Sequence, residues 1–292
     1  MRIAYYPGCS LKALAANFDR SARAAMGALG VELVELERWN CCGTVSSLTT
    51  DDLMRQLAPV RNLIRAQEAG ERRLVTACAM CYNTLKRAAL RVEAHPEELA
   101  KINAFLDEEP DYRGGVRVLH LLELLRDEVG FEAVAKRVVR PLEGLRVAPY
   151  YGCLLLRPRG VGLDDPENPS ILEELVRALG AEPVDSPLKG QCCGSYHTVA
   201  HKEVVARRAH KILSEAASRG AEALISSCPL CSFNLDNRQR LIRELDGSFA
   251  PLPVLYFTEL MALAFGLEEA LSPEGHYVDP RPFLEERQLL RR

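Results

Sequence analysis

The chain has 292 residues and a net charge of −3, with 48% hydrophobic and 26% charged residues. That composition is ordinary for a globular protein with a sizeable core, and it supplies no electrostatic reason for a nucleic-acid partner. No apolar run approaches the about eighteen residues of a membrane span and no secretory leader is visible, so no transmembrane segment and a cytoplasmic setting are expected.

Taken in order, Arg2 to Tyr6 reads as a short buried strand that ends at Pro7-Gly8-Cys9. Leu11 to Leu29 has helical periodicity and stops at Gly30, a C-cap residue. Val31 to Leu36 forms the next strand and runs into Asn40-Cys41-Cys42-Gly43. A polar helix is expected from about Thr50 to Ala69, bent or split by Pro59. Arg73 to Thr76 is a strand that delivers Cys78, and a helix starts at or just after Cys78-x-x-Cys81.

The second part repeats this order. Leu145 to Tyr151 is a strand ending at Gly152-Cys153, and a helix from about Pro169 to Leu179 stops at Gly180. Another helix covers about Val199 to Ser218, and Ala223 to Ser226 is the strand before Cys228. The closing segments also correspond, Val118 to Leu124 with Val254 to Leu260. Strands alternating with helices predict an α/β fold: two pseudo-twofold-related, Rossmann-like halves over 1–140 and 145–292 with parallel sheets. In such sheets ligands gather at the carboxyl ends of strands, where the cysteines fall. Cys192-Cys193 is the looser case, because proline interrupts the stretch ahead of it. The tail from Ser272 has no first-half counterpart, and docking or plain solvation are equal readings of it.

The ten cysteines divide into two sets of five with matching order, C-x31-C-C-x35-C-x-x-C and C-x38-C-C-x34-C-x-x-C. In a reducing compartment, such cysteines are metal ligands or redox groups before they are disulfides. A structural zinc takes four thiolates and so does a cubane iron–sulfur cluster. A fifth thiol, recurring at the same place, favours a site that uses all five. Soft thiolates suit iron–sulfur or zinc, which leaves iron–sulfur in both sets or iron–sulfur in one and zinc in the other.

The paired C-x(n)-C-C-G-x(n)-C-x-x-C motifs resemble the cysteine-rich CCG domain family, and the tandem arrangement is similar to the heterodisulfide reductase B-subunit family. The resemblance covers nearly the whole chain. It implies two CCG domains, each binding a non-cubane [4Fe-4S] cluster, with a disulfide split between them. Carried over, Cys9, Cys41, Cys42, Cys78 and Cys81 hold one cluster, and Cys153, Cys192, Cys193, Cys228 and Cys231 hold the other. Related tandem domains serve succinate, lactate and glycolate oxidation, so the alternative is an electron-transfer or anchoring subunit of a quinone-linked dehydrogenase, with one cluster and one structural zinc. No GxGxxG fingerprint and no ferredoxin-type cysteine run is present, so a ferredoxin-like [4Fe-4S] sister subunit in a larger complex is the implied electron donor. Any membrane attachment is then peripheral, through partners. The acceptor is a small disulfide or a quinone-type molecule.

His197, four residues past Cys193, is the candidate catalytic residue, as a proton donor to a thiolate product or as a pocket wall. A histidine that merely opens a helix explains it as well. Tyr196, Tyr5-Tyr6 and Tyr150-Tyr151 are shields for a cluster or ordinary core. His120 aligns with Tyr256, which argues against a shared catalytic role there. His95, His201, His210 and His276 carry no distinguishing context. Asn83 and Asn234 are expected to satisfy backbone groups or sulfurs.

Overall fold

The structure, a computed structural model, describes residues 1–44 and 51–290. Strands β1 (Arg2–Tyr5), β2 (Glu32–Glu35), β3 (Arg73–Thr76) and β4 (Arg117–His120) form one sheet in the order β2-β1-β3-β4. Strands β5 (Arg146–Tyr150), β6 (Glu182–Pro183), β7 (Ala223–Ser226) and β8 (Val254–Tyr256) form a second in the equivalent order β6-β5-β7-β8. All pairings are parallel, so both faces must be covered by crossover helices. Leu74 and Val75 of β3 and Leu224 and Ile225 of β7 are accordingly buried on both faces. The expected α/β halves are therefore present, each with its own parallel sheet.

Chain direction decides where a site can form. From β1 the chain moves outward to β2, then returns past β1 to β3. The crevice between the carboxyl ends of β1 and β3 is thus a topological switch point, and that between β5 and β7 is its counterpart. Cys9 and Cys78 follow β1 and β3; Cys153 and Cys228 follow β5 and β7. Strand β6 is only two residues long, so Cys192-Cys193 hangs from a loop, in keeping with the prolines ahead of it.

Two local expectations change. Pro59 does not split its helix, which runs unbroken over Met54–Glu68. The proline ring already holds a helical φ. Side-chain amides of Asn40 and Asn62 donate to the Ala58 carbonyl beside it, each at 3.1 Å. The expected start near Thr50 lies outside the described residues. The helix expected over Leu11–Leu29 is two pieces, Gly8–Leu11 and Ala16–Ala28.

The halves are clasped by elements that cross between them. Helix Ala16–Ala28 of the first half packs on helix Phe257–Ala264 of the second, every residue of which is buried. Phe18 stacks on Tyr256 with centroids 4.1 Å apart, and Ser21 Oγ meets Thr258 Oγ1 at 2.7 Å. Burying an aromatic such as Phe18 contributes on the order of 1.5–3 kcal/mol. The segment from Ser272 is not a free tail: it packs on its own chain. Arg20 of the first half donates to Ser272 Oγ at 2.6 Å, and Leu284 and Leu289 are buried.

The candidate metal centre

Helices open on both C-x-x-C motifs. Cys78 and Cys228 have extended backbone and occupy the N-cap positions of helices Ala79–Ala94 and Pro229–Asn237, so Cys81 and Cys231 fall in the first turns. Unpaired N–H groups and the positive end of the helix dipole favour thiolates there. Cys228 feels this directly, with backbone N–H groups of Leu230 and Cys231 directed at its sulfur.

The Cys-Cys turns are held from below. Tyr6, three residues before Cys9, donates its hydroxyl to the Asn40 carbonyl at 2.8 Å; Tyr150, three before Cys153, donates to Gln191 O at 2.7 Å. Each acceptor is the residue just ahead of its Cys-Cys pair. These fully buried tyrosines are core residues that also fix the turns. Asn62 adds a two-way clamp on Asn40, accepting from its N–H and donating to its carbonyl, both at 3.0 Å.

The ten thiols perturb one another's protonation in one continuous order, here called a string. In the first half each interacts with the next in the order Cys9, Cys41, Cys42, Cys81, Cys78. The string crosses from Cys78 to Cys228 and continues through Cys231, Cys193 and Cys192 to Cys153. Sulfurs of Cys9 and Cys41 are 3.7 Å apart, those of Cys193 and Cys231 3.5 Å. Its middle is buried, whereas Cys9 and Cys41 are exposed and Cys153 and Cys192 half-buried. Among the described residues, no three His, Cys, Asp or Glu side chains converge as ligands of a single ion do.

Within the string, proton sharing and backbone donors separate the thiols. Cys41 is drawn down to about 2 by the Cys42 and Cys9 thiols, with the N–H groups of Gly43 and Thr44 helping. Cys192 is likewise lowered, by Cys153 and Cys193 first, and Gly194 donates its N–H to it at 3.3 Å. Cys193 is pushed up to about 12, chiefly by Cys192. One thiol of each Cys-Cys pair is thus a ready anionic donor.

Glycine makes the space. Gly8 and Gly152 have φ of +73° and +65°, and a Cβ on either would lie 2.9 Å from Cys81 Sγ or 3.1 Å from Cys231 Sγ. A Cβ at Gly8 would force the Cys81 sulfur to move and one at Gly152 would press on Cys231, in a left-handed conformation that favours glycine. Five thiols per half, backbone N–H groups turned toward the sulfurs and a glycine gap that a Cβ would crowd fit a thiolate-bound iron–sulfur group.

The other sequence candidates separate. His197 sits on an exposed turn over Ser195–His197, its ring 5.5 Å from that of His201, and no hydrogen bond joins it to a thiol among the described residues. His120 is a buried helix cap: Leu122 N donates to its Nδ1 at 3.2 Å, Ala77 O lies 2.9 Å from its Nε2, and burial lowers its pKa to about 4. Asn83 donates to the carbonyls of Leu154 and Arg157 in the other half, both at 2.7 Å. Asn234 instead directs Nδ2 at Cys193 Sγ, 3.4 Å away. The difference is one residue of spacing: Asn83 stands two past Cys81 and Asn234 three past Cys231, about 100° apart around a helix.

Sequence reasoning passed over His276. It is buried between Glu259, whose Oε1 is 3.0 Å from Nε2, and Asp236, and Asn17 of the first half donates to Glu259 Oε1 at 3.1 Å. Glu259 did leave a signal, a shared Glu three past His120 and three past Tyr256 that makes capping boxes in both halves. Nothing marked His276, because the tail has no repeat partner.

The CCG family, described as a cysteine-rich domain, matches residues 3–86 and again residues 147–236. The chain belongs to the CCG cysteine-rich domain family. Over 266 residues it is 32% identical to the 8-methylmenaquinol:fumarate reductase membrane anchor subunit of Wolinella succinogenes, covering 90% of this chain and 92% of that one. It is 30% identical over 293 residues to the B-subunit of the ferredoxin/F420H2-dependent CoB-CoM heterodisulfide reductase of Methanosarcina acetivorans, covering 97% and 96%. A crystal structure of a hypothetical protein from Helicobacter pylori shares the fold with a TM-score of 0.75 at 14% identity. That likeness covers 94% of this CCG protein, which spans about half, 51%, of the solved chain.

Proposed function

We infer that this CCG protein is an iron–sulfur redox subunit of a multi-subunit oxidoreductase, and that its acceptor is a small disulfide. The thiol string carries the reading: two five-cysteine sets, each complete, meet at Cys78 and Cys228. Relatives named as heterodisulfide reductase subunits support it over most of the chain. In this reading Cys9, Cys41, Cys42, Cys78 and Cys81 hold one [4Fe-4S] cluster, and Cys153, Cys192, Cys193, Cys228 and Cys231 hold another, both non-cubane. When bound, a cluster supplies one electron at a time, so R–S–S–R′ + 2 e⁻ + 2 H⁺ → RSH + R′SH draws on both.

The chain's own residues have defined parts in this. Tyr6, Tyr150 and Asn62 fix the Cys-Cys turns, Gly8 and Gly152 keep the space beside Cys81 and Cys231 open, and the buried middle of the string excludes water. The product thiolates take protons from solvent at the exposed end of the string, which leaves His197 expendable. Electrons come from a ferredoxin-like cluster-bearing partner. The test is iron and sulfide content of anaerobically purified protein with its electron paramagnetic resonance spectrum, followed by disulfide reduction with reduced viologen. About eight irons per chain and turnover are expected; four irons with one zinc and no turnover would refute the reading.

A second reading has its own support, the fumarate reductase membrane anchor subunit at 32% identity. There the protein relays electrons between a quinone-type molecule and a partner; the structural zinc expected with it is not favoured, because no three His, Cys, Asp or Glu side chains converge on one point among the described residues. Among the described residues no helix is long and apolar enough to cross a membrane, so attachment in that case is through partners.

A further inference from the structure

The second cysteine of each Cys-Cys pair meets a polar side chain, and the two halves use different groups for it. Cys42 and Cys193 are both buried, so a hydrogen bond to either sulfur is weakly screened. Three residues past Cys231, on the helix Pro229–Asn237, Asn234 directs Nδ2 at Cys193 Sγ from 3.4 Å. The same register on the helix Ala79–Ala94 holds Thr84, three past Cys81. Its hydroxyl donates to the Met80 carbonyl one turn back, at 2.8 Å. Cys42 Sγ meets the Thr44 hydroxyl instead, at 2.8 Å, and that hydroxyl lies 3.4 Å from Thr84 Oγ1.

The two arrangements differ in what they do for a metal-bound thiolate. A hydroxyl carries one hydrogen and rotates, so Thr44 can turn it toward Cys42 or away. Asn234 is fixed. It is fully buried, and Thr198 Oγ1 lies 3.0 Å from its Oδ1 and 2.8 Å from the Ser195 carbonyl. Thr198 is held in turn by Arg238, which donates to its carbonyl at 2.8 Å. A metal-bound thiolate has no hydrogen and only accepts. The amide therefore presents its N–H to Cys193 and leaves Oδ1 for the Thr198 hydroxyl. Donation to a ligand sulfur stabilises the more negative, reduced state of an iron–sulfur group and raises its reduction potential.

We propose that Asn234, oriented by Thr198, raises the reduction potential of the iron–sulfur group held by the second cysteine set and leaves that of the first set untouched. Two sets that are alike in cysteine order are then poised separately, one by a fixed amide and the other without it. This rests on iron–sulfur occupying the second set, and it adds the residue that tunes it.

The experiment uses the full chain, reconstituted anaerobically with iron and sulfide. Midpoint potentials are read by potentiometry with dithionite, followed by electron paramagnetic resonance. The Cys42→Ser chain, in which only the second set is complete, assigns the signals. Asn234→Leu keeps the size and removes the donor. It should move the second set's reduction equilibrium about tenfold toward the oxidised form, about 59 mV lower for one electron, and leave the first set unchanged. Thr198→Val should move it the same way by less, because the amide stays but loses its hold. Arg240→Gln, which removes a charge from a 91% exposed side chain, should move neither. A second-set equilibrium within about twofold of wild type in Asn234→Leu, or an equal shift at both sets, overturns the proposal. Loss of second-set iron in both the Asn234 and Thr198 variants overturns it too, because Asn234 is then a strut. About four irons per wild-type chain sinks the cluster assignment and this proposal together, whereas about eight irons with an unmoved potential sinks the tuning role alone. A shifted potential without disulfide turnover counts against the disulfide acceptor and leaves the role of Asn234 standing.

Discussion

Cys78 and Cys228 shift each other's proton affinity in opposite directions, although each belongs to a different half and caps a different helix. That coupling links the two five-cysteine sets.

Both sets should therefore be needed for disulfide turnover. Cys42→Ser and Cys193→Ser each remove a buried member of the string. Each is expected to abolish disulfide reduction with reduced viologen, while the untouched half keeps its own iron signal in the paramagnetic resonance spectrum. Wild-type turnover by a Cys42→Ser protein that has lost its first cluster would falsify the two-set mechanism and leave the relay reading.

Gly8→Ala should empty the first site without unfolding the chain. The added methyl would lie 2.9 Å from Cys81 Sγ in a left-handed backbone conformation, at a cost of about 1–3 kcal/mol. Iron per chain should fall by about half after reconstitution, since only one of two equivalent sites is touched. Full iron content in Gly8→Ala would show that Cys81 is not held as inferred. Gly152→Ala should act in the same way on the second site.

His276 should make the clasp between the halves sensitive to alkali. Burial opposes its charge, but Glu259, Asp236 and the Val254 carbonyl together outweigh burial, so its pKa lies above the usual 6.5. Glu259 at 3.0 Å is the nearer counter-ion, with Asp236 at 3.8 Å. A histidine whose folded pKa is raised contributes stability fully below its unfolded value, and that contribution is lost as pH rises through the folded value. The gap in Tm between wild type and His276→Gln should thus be widest near pH 6 and narrow toward pH 9. A gap that grows with pH would reverse the assignment.

His197→Ala should retain disulfide turnover at close to the wild-type rate across the pH range. Its ring lies at the surface beside His201, and no hydrogen bond connects it to a thiol among the described residues. A large loss of kcat, with the clusters intact by spectroscopy, would restore it as the proton donor.

Much of this site was legible in the chain because the information is local. The strand–cysteine–helix order, repeated twice, needs only hydrophobic periodicity and spacing, and β3 and β7 fall where that order puts them. The two-residue β6 was foreshadowed by Pro183 and the nearby Pro187, neither of which can donate to a ladder. Other features depend on which surfaces meet, and no local rule encodes that. One residue of helical spacing sends Asn83 to the opposite half and Asn234 to a sulfur. His276 acquires its partners only when the tail crosses back over Asn17 and Glu259. The coupling of Cys78 with Cys228 exists only because two similar halves pack with their strand ends together. The repeat determined what each half contains; packing between the halves decided what they do jointly.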